Sequence, residues 1–120
     1  MSKNPLLECA FFIPIRRDAN LSDGDLHSEK AWAWLKRELF LHFEGATVAP
    51  GFYEGFYKDP DTGEQVTDRS RMYIVAAPSS KVDELRTLLA KACIVFKQKC
   101  IYLSVSGDVE FSRGKQDDPP

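Results

Sequence analysis

The sequence predicts an α+β fold of order β-α-β-β-α-β: a ferredoxin-like, four-stranded antiparallel sheet with two helices on one face. Three observations carry this expectation. Two segments repeat apolar residues at helical spacing. Four others are short, rich in β-branched or aromatic residues, and bounded by Gly, Pro or Asp. The 120 residues suit one domain, which buries roughly two-thirds of the surface its unfolded chain exposes.

The first strand is read at 7–15, where apolar and aromatic residues run up to Pro14, a residue that cannot donate to a ladder. A loop with Asp-Gly punctuation follows over 16–27. The first helix spans 28–43, with Ser28 as N-cap and Glu29 in the first turn. Trp32, Leu35, Leu39 and Phe43 fall on one stripe, and Gly45 is the expected stop. Trp34 and Leu41 lie off that stripe, toward a loop or a partner chain.

The second strand is read over 46–58, interrupted by Pro50-Gly51. The turn "DPDTGE" at 59–64 joins it to a third strand at 65–77 as a hairpin. Pro78-Ser79-Ser80 opens the second helix, with Ser80 and Asp83 in a capping-box spacing. Val82, Leu85, Leu88, Leu89, Ala92, Val95 and Phe96 give its apolar face. The fourth strand covers 100–106, and Val109-Glu110-Phe111 adds a short fifth after Gly107-Asp108. The ordered core is expected over about 6–112, with 113–120 frayed.

Composition narrows the function. The net charge is −2 with both signs interspersed, which disfavours nucleic acid. No apolar run approaches the ~18 residues of a membrane span, and the start lacks a signal-peptide core, so the cytoplasm is expected. Cys9, Cys93 and Cys100 are an odd set without C-x-x-C spacing and read as buried, reduced thiols. No phosphate loop, nucleophile elbow or zinc motif occurs, and neither cofactor nor metal is expected.

Alternation sorts strand residues by face. The aliphatic sets Met72, Ile74, Ala76 and Ile101, Leu103, Val105 are placed under the helices. Tyr73 and Tyr102 then share the open face, and Tyr53 and Tyr57 join them there, all four tyrosines of the chain together. This sends Glu54 inward with Phe52 and Phe56, where an unpaired carboxylate is costly. A bulge at Gly55, an edge position for the strand, or a buried and partnered functional acid would each resolve the conflict.

An aromatic open face calls for a cover: a second copy in a homodimer, a small ligand or a protein partner. The leading expectation is a non-catalytic module that binds through this face, with Tyr53, Glu54, Tyr57, Arg71, Tyr73, Tyr102 and His27 as site candidates. The alternative is a small cofactor-independent enzyme with its pocket between the first helix and the second strand. There His27 or Glu54 moves a proton, and Tyr57 or Arg71 orients the substrate. Asp68-Arg69-Ser70-Arg71 is either an anion grip or a solvated strand start. His42 reads as a helix-surface residue.

Phe43, Gly45 and Thr47, then Gly55 and Phe56, Gly63, Asp68, Phe96 and Gln98, form a pattern that resembles a loosely defined group of small uncharacterised bacterial proteins. The likeness covers most of 7–105 and implies a ferredoxin-like α+β fold with no established activity. Phe56 stands where that group leads one to expect Trp.

Overall fold

The computed structural model describes residues 5–114. β1 (Leu6–Pro14) is followed by α1 (Glu29–Phe43), β2 (Thr47–Val48), β3 (Tyr53–Lys58), β4 (Gln65–Pro78), α2 (Val82–Val95), β5 (Cys100–Val105) and β6 (Asp108–Arg113). All strands join one antiparallel sheet of order β2-β4-β1-β5-β6, with β3 also paired to β4. None of the described helices is long and apolar enough to cross a membrane.

The four-stranded ferredoxin-like sheet expected from the sequence is therefore corrected to a six-stranded one. Two local causes account for the difference. Pro50-Gly51 divides the segment read as one strand, with Gly51 at φ +76°, so β2 meets Tyr73 and Ile74 while β3 meets 65–70. At the other edge, Ser106 (φ 49°) and Gly107 (φ 92°) form the two-residue loop of a tight hairpin. Positive φ at both positions matches the twist of the flanking strands. β6 thereby pairs along the whole of β5, and Arg113 is a strand residue opposite Cys100. Residues 115–120, expected to fray, lie outside the described residues.

β4 is the spine. Over fourteen residues it pairs with β1 from Ser70 to Pro78 and with β3 from Gln65 to Ser70. Both helices pack on one face of the sheet around Cys9, Phe11, Ile13, Tyr73, Val75, Ala77, Ile101 and Leu103. α1 contributes Leu35, Leu39 and Phe43, and α2 contributes Leu85, Leu88, Leu89, Ala92 and Cys93. Each large apolar side chain buried this way contributes about 1.5–3 kcal/mol before chain entropy is subtracted. Trp34, off the predicted stripe, packs against Phe96 at 6.4 Å between centroids.

The helix ends differ in detail from their sequence signals. Ser28 caps α1 as expected, its Oγ accepting from Ala31 N at 3.3 Å. The left-handed stop falls on Glu44 (φ 67°), one residue before Gly45. Ser79–Lys81 forms a 3₁₀ turn ahead of α2, and no side-chain cap bond forms there.

Two anchors fix the end of the sheet where β3 turns into β4. The fully buried Asp59 carboxylate accepts from Asp61 N (2.7 Å) and Thr62 N (3.1 Å) and meets Lys99 Nζ at 3.2 Å. Gln98 Nε2 donates to Arg16 O at 2.8 Å, holding the 15–28 loop against the end of α2.

Phe11 is fully buried and stacks on Tyr73 at 5.2 Å, 5° from parallel. Replacing it by alanine is expected to cost about 3–5 kcal/mol, by lost transfer energy and the cavity left behind. Urea denaturation of the F11A variant measures this as a lowered midpoint.

Candidate functional site

The helix-free face of the sheet carries a cleft of about 550 Å³. Its floor follows from strand alternation. Phe12 and Pro14 of β1, Asp68 and Ser70 of β4, Cys100 and Tyr102 of β5, and Phe111 of β6 all point away from the helices. Tyr53, Gly55 and Tyr57 of β3 complete it.

The aromatic residues form a continuous ribbon across the sheet. Tyr53 meets Phe12 at 5.6 Å, Phe12 meets Tyr102 at 5.3 Å, and Tyr102 meets Phe111 at 5.8 Å, all edge-to-face. Tyr53 reaches Phe12 over β4 because the residue opposite both Tyr53 and Pro14 is the small Ser70. Such pairs hold one another in place.

One carboxylate sits in this apolar floor. Asp68 lies opposite Gly55, where an added Cβ would stand 3.5 Å from Oδ1 and a larger side chain would cover it. Its hydrogen-bond partner is Ser70 Oγ at 3.4 Å, and no Lys or Arg among the described residues forms an ion pair with it. Loss of water holds its carboxyl above the ordinary carboxylate range, with Ser70 offsetting part of that rise. Burial, reinforced by the Asp68 charge, pushes the Tyr57 phenol up to about 12, so it remains a hydrogen-bond donor at neutral pH. Burial also raises the Cys100 thiol, which stays protonated.

The structure divides the sequence-predicted candidates between two faces. Tyr53, Glu54, Tyr57 and Tyr102 line the cleft. Tyr73 does not join them: it is 4% exposed beneath the helices, and the set Met72, Ile74, Ala76 takes the outer face. The assignment of β4 is thus reversed from that expected. Arg71 follows Tyr73 inward and lies over the Trp32 ring at 4.1 Å.

His27 is also on the helix side. Its ring packs edge-on against Trp32 and Phe96, and Nε2 contacts Pro14 O at 2.7 Å while the buried Nδ1 has no partner. Burial lowers its pKa, which keeps the imidazole neutral. His27 and Arg71 are accordingly not brought together with Glu54 and Tyr57. Glu54 is solvent-exposed on the edge strand β3, without a bulge: Phe56 beside it is 75% exposed because neither helix extends over β3.

Phe12, Cys100, Phe111 and Arg113 are among the cleft residues outside the candidate set, and Asp68 and Ser70 entered only through the anion-grip reading. The signal for the latter two lay in "DRSR": alternation separates Asp68 and Ser70 from Arg69 and Arg71, so the four never act as one grip. No group of metal-ligating residues occurs among the described residues.

No family model matches the chain, and no curated protein matches its sequence. Among solved structures, the chain is similar to a phage SAM lyase in complex with S-methyl-5′-thioadenosine. The TM-score is 0.71 at 13% identity, over 98% of this chain and 97% of that one. It is also similar to a phage SAM lyase in the apo state, with a TM-score of 0.62 at 15% identity over 93% and 92% of the two chains. At these identities the likeness establishes a shared fold.

The raised Asp68 carboxyl gives a stability prediction with a definite sign. Ionisation costs more in the folded chain than in the unfolded one, so the penalty is absent below the unfolded value of ~3.9 and grows as pH rises through the folded one. D68N is expected to melt no lower than the wild type at pH 7, and to lose any advantage below pH ~4. Thermal melts across pH measure it.

Proposed function

We propose that the aromatic cleft binds an adenosyl sulfonium such as S-adenosylmethionine and promotes cleavage of a carbon–sulfur bond in it. The observation that carries this reading is the Asp68 carboxylate, desolvated and without a cation, set among aromatic rings. Adenine is flat and stacks on aromatic side chains. A sulfonium is a permanent cation, attracted both by ring faces and by a carboxylate that lacks a counter-charge. The shared fold with a phage SAM lyase holding S-methyl-5′-thioadenosine supports the same ligand class.

In a lyase step the electron pair of the broken bond goes to sulfur, which departs as a neutral thioether. The carbon it leaves forms a new bond to an oxygen of the ligand's own carboxylate, so one bond forms for the one broken and neither water nor a redox cofactor takes part. The chain's contribution is to bind, to orient and to exclude water. The Tyr57 phenol, protonated at neutral pH, serves as a donor to the bound molecule. The non-catalytic module expected from the sequence becomes one outcome of the test.

Calorimetric titration with S-methyl-5′-thioadenosine and S-adenosylmethionine, together with chromatography for the thioether product, tests the proposal. Phe12→Ala and Tyr53→Ala are each expected to weaken binding by about 5- to 150-fold, from ~1–3 kcal/mol per stacked base. D68N is expected to weaken the sulfonium more than the neutral thioether. Sulfonium affinity should also fall on acidification through the raised Asp68 value, where the attracting charge is lost. Binding without product leaves a binding module, and no binding of either compound removes the reading.

A second copy of the chain is the proposed cover for the apolar side chains left bare at the two edges of the cleft, Phe56 (75% exposed) and Phe111 (60%). Sedimentation velocity over a range of concentrations is expected to show association. A monomer throughout would remove this part.

A further inference from the structure

The β3–β4 pair stands beside a second hollow, of about 680 Å³, closed on its far side by the loop over 15–24. Pro14, Glu54, Tyr57, Asp68 and Gln98 line both hollows, so the two meet along a common wall. Their chemistry differs. The first is aromatic, whereas Arg16, Arg17 and Arg69 are among the residues that line the second.

The charges there are unevenly committed. Arg17 pairs with Asp23 at 3.0 Å, and Asp18 accepts from Asn20 N at 2.7 Å. Arg16 and Arg69 form no ion pair among the described residues. Glu54 and Asp68 are likewise without a cation, although Glu54 is the register partner of Arg69. The backbone fixes both arginines. Ile15 N donates to Arg69 O at 2.8 Å, Gln98 Nε2 donates to Arg16 O at 2.8 Å, and Arg16 bridges to Leu26. Arg16 and Arg69 thus share one polar hollow with Glu54, the register partner of Arg69, and Asp68 stands on the wall between this hollow and the aromatic one.

We propose that the second hollow receives a zwitterionic α-amino-acid group, making Arg16 and Arg69 the residues that select ligands carrying one. The ligand's carboxylate lies on the two guanidiniums, which suit it as planar donors. Its ammonium lies toward Glu54, the register partner of Arg69, and its adenosine end rests on the aromatic ribbon. The inference rests on the adenosyl reading above and adds to it a binding site for the other end of the molecule.

S-adenosylhomocysteine and S-methyl-5′-thioadenosine separate the two ideas, because both are neutral thioethers and only the former has the amino-acid group. Titration calorimetry on the full chain is expected to show S-adenosylhomocysteine binding at least about 10-fold tighter. The Arg16→Ala/Arg69→Ala double variant should abolish that preference and leave S-methyl-5′-thioadenosine affinity within about 2-fold, with an unchanged circular dichroism spectrum. R69K, which keeps the charge but not the fork, should retain an intermediate preference. Equal affinity of the two ligands for the wild type, or a preference that survives in the double variant, overturns the inference while leaving the aromatic cleft intact. Failure of both ligands to bind overturns the adenosyl reading and this inference with it.

Discussion

The phase of β4 against β1 governs both faces of the molecule. Phe11 stacks on Tyr73 inside the core, and the antiparallel register carries that choice along the strand. With Tyr73, Val75 and Ala77 turned toward the helices, Met72, Ser70 and Asp68 must turn outward. A slip of one residue would bring Asp68 to the helix side and push Tyr73 into the cleft. The stacked pair that holds the core together therefore also delivers the carboxylate to the aromatic floor.

That delivery explains the electrostatics of the cleft. A carboxylate at the end of a strand is usually solvated or paired. Here the ribbon of Tyr53, Phe12, Tyr102 and Phe111 removes water, while the nearest cations are engaged elsewhere or turned to the other face. Arg71 lies over Trp32, and Lys99 is held by Asp59 and Asp61. What remains is a desolvated carboxyl with no ion-pair partner among the described residues.

Much of the chain's order is legible in the sequence. Both helices, the "DPDTGE" hairpin and the Ser28 cap follow from local chemistry that no tertiary contact reverses. The phase of β4 was not legible, because 72–77 is apolar on both faces and alternation carries no polar mark there. The aliphatic set looked like the better core, yet the phenol ring of Tyr73 fits flat against Phe11 with Arg71 close by. The strand count was hidden for another reason. Pro50-Gly51 and Ser106-Gly107 both read as interruptions, and only pairing across the sheet shows that one splits a strand while the other folds a hairpin. Glu54 was correctly recognised as out of place inside, and the edge position of β3 resolves the conflict by leaving its outer side in water.

The division of that edge has a consequence for how the chain behaves in a crowded solution. An uninterrupted border strand offers a row of open amide and carbonyl groups on which a stray chain can polymerise. Here β2 is two residues long, the break at 49–52 contains a proline, and β3 presents Glu54 and Lys58 beside its aromatics. The interruption thus guards against amyloid-like templating at a border this rich in phenyl and phenol rings.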